Sequence, residues 1–299
     1  LPIASAAALL SDCCLSSTAP KAEEVALAQD AGSFDEYWYQ GKAEISSYEL
    51  KQARYGEIRD GKAVLVFVTE PFSKSRQVKT GASNTEDVVP VLKLNAVKKF
   101  TTGIYDYSIL KSVFTPVDLK KYPNSIKVST SVQEWCGHTY TQLNLQTYKY
   151  KVRMHSYFEQ EGDREYQIEQ ALLEDELLNL IRIDPKTLPT GTIRLIPNTA
   201  TASLRHNLPE VQDAAASMQA HDNNSDLMTY RIQYTNTKRD LAIHFQKDFP
   251  YEIEGWEDTY IDGGQPLTTK ATRLKTILSP SCNNSSKADE GLRQTLQLD

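Results

Sequence analysis

The residues with the clearest potential for chemistry form one short cluster: Glu134, Trp135, Cys136 and His138, within the sequence EWCGH. Four of its residues match the disulfide-isomerase motif W-C-G-H-C, but Thr139 stands where the second cysteine belongs. A dithiol cycle needs one thiol to attack and another to resolve the mixed disulfide. The cluster therefore favours a structural interpretation, in which Trp135 packs in the core beside a buried Cys136.

Two other kinds of chemistry involve the same cluster. Cys136 and His138 are two residues apart, so on a strand they would point to the same face and could begin a metal site. Zinc needs three or four ligands, and the other histidines are isolated in the sequence. We expect no metal, no cofactor and no catalytic residue. The alternative is an enzyme of unrecognised type that uses residues 135–138 for thiol or metal chemistry.

Motifs of other enzyme classes do not occur. The sequence contains neither a G-x-S-x-G nucleophile motif nor a glycine-rich phosphate loop. Glu174, Asp175 and Glu176 form a carboxylate cluster, which we expect on the solvent side of a helix. These patterns indicate a binding or structural protein more than an enzyme.

Composition and charge exclude several classes of protein. The chain has 299 residues, 33 Lys and Arg against 39 Asp and Glu, a net charge of −6 and a hydrophobic fraction of 40%. These values are typical of a folded domain and exclude disordered, collagen-like and polytopic membrane chains. The basic pairs are short and scattered, which predicts a solvated surface and no nucleic-acid partner; they are Lys98-Lys99, Lys120-Lys121 and Lys238-Arg239.

The N-terminal residues are typical of an export signal. Residues 1–10 (LPIASAAALL) carry no charge and have the length of a secretory h-region. The following Leu10-Ser11-Asp12-Cys13 is similar to a bacterial lipobox, in which the cysteine is acylated, although Asp12 is not the usual small residue. We expect residues 1–19 to form a leader and tether, with lipidation at Cys13. A plainly cleaved secreted form, another leader and a buried first helix remain alternatives. An exported compartment would permit a Cys136–Cys282 disulfide, but two unpaired thiols are favoured.

The remaining sequence alternates mostly like β-strands. Ser33 predicts the N-cap of a short helix over 33–40. Arg59-Asp60-Gly61-Lys62 predicts a hairpin turn, and residues 63–69 (AVLVFVT) predict a central strand that Pro71 ends. Further strands are expected over 91–97, 105–114, 125–132, 140–150, 151–158, 192–196, 251–260 and 270–278.

The second half of the chain combines strands with the longest predicted helix. Apolar residues at helical spacing predict that helix over 166–181, and Asp184-Pro185 stops it. Residues 201–220 are ambiguous, because the AAAS run favours helix and 203–205 favour strand. A hairpin is expected around residues 236–238.

These elements define the expected fold. The class is mainly β (α+β), with a large curved antiparallel sheet or half-barrel that wraps one or two helices. Residues 20–282 would form a single β-rich domain, and residues 283–299 a flexible polar tail.

Five segments of the sequence have distinctive wording: 34–39 (FDEYWY), 41–48 (GKAEISSY), 68–72 (VTEPF), 131–138 (SVQEWCGH) and 188–191 (LPTG). They resemble a family of Bacteroidetes envelope lipoproteins without an established activity, and the resemblance spans about residues 33–280. Members sometimes carry the label septum formation inhibitor Maf. True Maf proteins are α/β nucleotide pyrophosphatases with a Ser- and Arg-rich opening loop, whereas residues 1–8 contain no Arg, so the label implies no pyrophosphatase activity.

The resemblance implies a protein of the cell envelope, either an outer-membrane lipoprotein or periplasmic, and implies no activity. We expect the protein to be non-catalytic. It would bind an apolar small molecule or an envelope protein, and would touch the membrane through its N-terminal lipid anchor only. A half-barrel similar to the LolA-like lipoprotein carriers would suit this function by analogy of fold.

Overall fold

The computed structural model describes residues 33–81, 85–280 and 284–299. The predicted leader, the lipidation site Cys13 and Cys282 lie outside these ranges. Within them, no helix has both the length and the apolar character needed to cross a bilayer.

One sheet of sixteen strands dominates the structure. Its order is β10-β11-β12-β13-β14-β15-β16-β1-β2-β4-β5-β6-β7-β8-β9, with β3 paired to β2. All neighbours are antiparallel except β10 and β11. The strands are β1 (Lys42–Arg54), β2 (Glu57–Ser73), β3 (Val78–Lys79), β4 (Val88–Thr102), β5 (Tyr105–Pro116), β6 (Lys127–Glu134), β7 (Gly137–Leu145), β8 (Lys149–Ser156), β9 (Arg164–Glu169), β10 (Leu172–Leu173), β11 (Gly191–Ile196), β12 (Gln212–His221), β13 (Asn224–Tyr234), β14 (Asp240–Gln246), β15 (Ile253–Asp262) and β16 (Gln265–Pro280).

The sheet curves strongly, because its two edge strands follow one another directly in the chain and must therefore lie near each other. Edge strands β9 and β10 are separated only by residues 170–171, and Ile168 and Leu172 pack against the same core. The sheet nevertheless does not close. The predicted class, a mainly β protein with a large curved antiparallel sheet, is confirmed.

In the described part of the chain, four short helices accompany the sheet: α1 (Phe34–Trp38), α2 (Leu177–Ile183), α3 (Thr199–Leu204) and α4 (Gly291–Thr295). Ser33 accepts a hydrogen bond from the Glu36 backbone N–H, so the predicted cap of α1 is confirmed. Single 3-10 turns occupy Glu174–Glu176, Pro185–Thr187 and Lys287–Glu290. The C-terminal residues, expected as a polar tail, contain α4, and Leu296 beside it is buried.

The core fills the concave face of the sheet. Inward-facing residues alternate along each strand, as in β2, where Ala63, Leu65 and Phe67 are buried. Helices α2 and α3 cover this face, and Leu177 and Leu204 belong to the same cluster as the strand residues. The helices are therefore held by the sheet they cover.

The first predicted hairpin turn is wrong in position. Residues 59–62 lie inside β2, and the chain reverses at Tyr55 and Gly56, whose φ angles are 57° and 77°. Positive φ is needed at both central positions of a tight hairpin turn, and Tyr55 adopts it beside the permissive glycine. Strand β2 also continues past Pro71, which does not end it.

The helix predicted over 166–181 is confirmed only in its second half. Residues 164–169 form β9, because Tyr166 and Ile168 also fit the two-residue period of a strand. The predicted stop is correct, since α2 ends at Ile183. In the ambiguous segment the preferences are reversed: 203–204 are helical and the AAAS run lies in β12.

A buried ion pair fastens α2 to the sheet. Arg182 and Glu44 are inaccessible to solvent, and Arg182 Nη2 donates a hydrogen bond to the Glu44 carboxylate. The guanidinium also lies 5.1 Å from the Trp38 ring centroid and 5.3 Å from that of Phe67. Within the described ranges, Arg182 Nε and Nη1 have no hydrogen-bond partner. A buried charge in this position depends on its counter-charge.

Replacing Arg182 alone should therefore destabilise the protein strongly. We expect Arg182→Met to lower the free energy of unfolding by about 3–5 kcal/mol, because Glu44 is left without its counter-charge. Adding Glu44→Gln should recover most of this loss in urea denaturation. The control is Lys51→Met on the same strand, which removes exposed ion pairs with Asp60 and Glu49 and should cost less than about 1 kcal/mol. Equal losses in the buried and exposed variants would contradict this role.

Candidate functional site

The EWCGH cluster lies at a hairpin turn on the surface. Trp135 and Cys136 form the turn between β6 and β7, and Trp135 is 65% exposed. Its ring meets Tyr105 edge to face, with centroids 6.2 Å apart. The prediction that Trp135 packs in the core beside a buried Cys136 is wrong, because the reversal of the chain turns both side chains outward.

The other members of the cluster are also accessible. His138 on β7 is exposed, and Glu134 at the end of β6 is half-buried. Cys136 is a free thiol in a β-turn, without the helix N-terminus that would activate it. In the parts of the chain that the structure describes, no three His, Cys, Asp or Glu side chains are grouped to hold a metal.

A cavity lies elsewhere, between the concave face of the sheet and the segment that contains α2 and α3. The enclosed space that small molecules can occupy is about 70 Å³, and the depression has about 680 Å³ when its open mouth is included. Most of the wall is apolar and comes from β2, β4, β5, β14, β15 and the helices: Ala63, Leu65, Ala96, Ile109, Leu178, Ala200, Leu241, Ile243 and Trp256. Lys98, Lys111, Glu174, Asn198 and Asp258 add polar groups. An apolar wall with a few polar groups is typical of a small-molecule site.

A second, narrower cavity adjoins this one. The two share five residues of their walls: Lys98, Ile109, Ala200, Thr201 and Asp258. The second cavity is also lined by Arg54 and Arg205, which lie at the ends of β1 and α3. Lys98 thus lies where the two cavities meet.

Glu174, Asp175 and Glu176 are all buried, contrary to the predicted solvent-facing helix, and Glu174 lines this cavity. Arg239 donates from Nη1 and Nη2 to Glu174 at 2.6 Å, and from Nε to Asp258 at 2.8 Å. Burial by itself would raise the pKa of Glu174, but the Arg239 charge and its hydrogen bonds hold that pKa below the usual value. The Tyr234 hydroxyl donates to the same carboxylate.

A second buried ion pair lies beside the cavity, at Lys111 in its wall. Lys111 Nζ donates to Asp175 Oδ1 at 2.8 Å, and both side chains are buried. The backbone N–H of Thr199, the first residue of α3, donates to Asp175 Oδ2 at 3.1 Å. Asp175 therefore joins β5 to the start of α3, and Asn198 caps the same helix.

Lys98 differs from the other charged residues of the cavity. It is half-buried, and its Nζ lies 5.5 Å from the Trp256 ring centroid. Within the described ranges it makes neither a hydrogen bond nor an ion pair. Burial lowers the pKa of Lys98 to about 8; the nearby Lys111 charge lowers it further, while Asp258 and Glu174 act in the opposite direction.

Two of the predicted basic pairs are therefore not wholly solvated. Lys98 belongs to the inward series Leu94, Ala96, Lys98 and Phe100 of β4, whereas Lys99 is exposed. Arg239 is buried and its neighbour Lys238 is exposed. The signal that could have revealed Lys98 is its position in the alternating inward series of a strand.

Exposed apolar side chains gather at one end of the sheet. Antiparallel pairing places the turns after β1, β4, β6 and β8 at the same end of the sheet. The C-terminus of α3 lies at this end too, because Arg54 at the end of β1 donates a hydrogen bond to the Leu204 carbonyl. We call the apolar residues of these turns the rim: Tyr55, Ile104, Tyr105, Trp135 and Tyr157. Trp135, one of the predicted site residues, belongs to it.

The lowered pKa of Lys98 predicts a pH-dependent stability. The unfolded lysine binds its proton up to about pH 10.5, but the folded one only up to about pH 8. Between these values the unfolded state binds more protons, so the free energy of unfolding rises with pH. Relative to Lys98→Met, the wild type should gain up to about 3 kcal/mol over this range in urea denaturation. Lys99→Met is the control, and its free energy of unfolding should depend on pH as that of the wild type does. The same pH dependence in Lys98→Met and in the wild type would contradict the burial of the Lys98 charge.

Exposure of the EWCGH cluster predicts that it contributes little to stability. Cys136→Ala and His138→Ala should each change the free energy of unfolding by less than about 0.5 kcal/mol, since neither side chain is buried. Val132→Ala on β6 is the control, because it removes a buried side chain and should cost about 2 kcal/mol. Losses of that size at Cys136 or His138 would show that the cluster has a structural role.

No family model matches the chain, and neither do curated proteins or solved structures.

Proposed function

We propose that the protein is a non-catalytic binding protein of the cell envelope that holds an apolar small molecule in the cavity beneath α2 and α3. The observation that carries this function is the apolar wall of that cavity. The burial of apolar ligand surface in such a wall would drive binding.

The hydrogen bonds of the cavity favour binding over catalysis. Glu174 and Asp258 accept hydrogen bonds from Arg239, and Asp175 accepts them from Lys111 and Thr199. A carboxylate bound in this way is poorly suited to take a proton from a substrate, because its acceptor sites are occupied and its charge is neutralised.

The rim supports a function at an apolar boundary. Tyr and Trp combine an apolar body with a polar tip, which suits surfaces that meet a membrane or a partner protein. Rim residue Tyr55 stacks on Arg54, whose guanidinium lies 4.1 Å from the ring centroid and which lines the narrower cavity. A ligand could thus pass between an apolar boundary and the cavity along a short path. The envelope location, with an acyl anchor at Cys13, remains part of the proposal and depends on the N-terminal sequence and the family resemblance.

A neutral dye tests whether the cavity binds apolar molecules. N-phenyl-1-naphthylamine fluoresces more strongly in apolar surroundings, and we expect the wild type to enhance its emission in a saturable way. Ala96→Phe should weaken binding at least about tenfold, because the new ring fills the cavity that Ala96 lines.

Ala242→Phe provides the matched control. Ala242 is half-buried, between the inward-facing Leu241 and Ile243 on β14, so its side chain lies on the opposite face of the sheet. This variant should bind the dye like the wild type. The proposed function is wrong if the wild type shows no saturable dye binding, or if a folded Ala96→Phe variant binds the dye as tightly as the wild type.

A further inference from the structure

The narrower cavity is lined by two arginines whose guanidinium groups the protein does not fully use. Arg54 is 8% exposed, and it donates hydrogen bonds to the Leu204 carbonyl and the Tyr55 hydroxyl. Its buried Nε has no hydrogen-bond partner within the described ranges. Arg205 is half-buried and lies 5.1 Å from the Tyr260 ring centroid, and no described residue accepts a hydrogen bond from its side chain. Guanidinium groups with free N–H donors are suited to bind a carboxylate.

The acidic residues in the wall of this cavity do not occupy the two arginines. Asp258 is bound through both of its oxygens by Arg239, at 2.8 and 2.9 Å. Asp262 accepts a hydrogen bond from the Gly56 backbone N–H and forms no ion pair with a described side chain. The buried Gln52 Oε1 also lacks a partner among the described residues, but it is a neutral dipole and does not change the charge of the site.

The two cavities together carry one positive charge in excess, if the ion-pair partners of their wall residues are included. Five cations face four carboxylates, and Lys98, with a pKa of about 8, is mostly protonated at pH 7. Because Lys98, Arg205 and Asp262 are only half-buried, solvent screens part of this excess. A ligand with a single negative charge would balance it. The cations are Arg54, Lys98, Lys111, Arg205 and Arg239, and the carboxylates are Glu174, Asp175, Asp258 and Asp262.

The enclosed space limits the size of such a ligand. One water-sized group needs about 10–15 Å³ of a cavity. The wider cavity, with about 70 Å³, therefore has room for about five to seven such groups, and the narrower one, with about 10 Å³, has room for one. This space fits a short aliphatic chain and is too small to enclose a long acyl chain.

We propose that the two cavities bind a short-chain monocarboxylate of about four to six carbons, an inference that rests on the proposed function and names its ligand class. The carboxylate would lie at the junction of the cavities and accept hydrogen bonds from Arg205 and from Arg54 Nε. The aliphatic chain would lie on the apolar wall at Ala96, Ile109 and Ile243.

Calorimetric titration at pH 7 with three small molecules tests this chemistry. Valerate carries both the carboxylate and the chain, 1-pentanol carries the chain without the charge, and acetate carries the charge without the chain. We expect valerate to bind at least about tenfold more tightly than 1-pentanol, the effect of hydrogen bonds to charged donors. Acetate should also bind at least about tenfold more weakly than valerate, because it buries no chain.

Two variants assign the carboxylate to the narrower cavity. Arg205→Met should weaken valerate binding about tenfold and leave 1-pentanol binding unchanged, since Arg205 makes no hydrogen bond that the fold needs through its side chain. Continued binding of N-phenyl-1-naphthylamine shows that this variant is folded. Arg76→Met is the control: it removes the same charge from an exposed turn outside both cavities and should bind valerate like the wild type.

Three results would overturn this inference: wild type that binds the dye but not valerate, 1-pentanol that binds as tightly as valerate, or Arg205→Met that binds valerate as tightly as Arg76→Met does. Wild type that binds neither the dye nor valerate would instead reject the proposed function on which the inference rests.

Discussion

Buried charge pairs hold the segment from residue 174 to residue 204 against the inner face of the sheet, and the rest of the structure depends on this attachment. Glu174 meets Arg239, Asp175 meets Lys111, and Arg182 meets Glu44. Helices α2 and α3 have only seven and six residues, too few to be stable alone. The sheet gives them their conformation, and they in turn cover apolar residues that the open sheet would otherwise expose to water.

The same attachment leaves the cavity open. Short helices cannot fill a concave face made by so many strands, and small residues such as Ala63, Ala96 and Ala200 line the gap. Arg239 and Lys111 occupy the carboxylates around it, and most of the remaining wall is apolar. This combination suits recognition of an apolar molecule, and it explains why we assign binding, rather than catalysis, to the cavity.

The rim extends this picture to the surface. Its aromatic residues stand on separate hairpin turns and are exposed, so they contribute little to the core. One of them, Tyr55, stacks on Arg54, which lines the narrower cavity together with Lys98. Under the proposed function, the rim would meet the apolar source of the ligand and the cavity would shield the ligand from water.

The sequence by itself determined the strand-rich class, the N-cap at Ser33, the end of α2 before Pro185 and the hairpin around residues 236–238, because each depends on neighbouring residues. It did not determine residues 166–176, where helical and strand periods both fit, or the outward position of Trp135. The cavity could not be predicted from the sequence, since the partners of Glu174, Asp175 and Arg182 are 65, 64 and 138 residues distant in the chain. Spacing along a chain reports local periodicity, whereas burial of a charge depends on which distant strand supplies its counter-charge, and only the curvature and register of the sheet decide that.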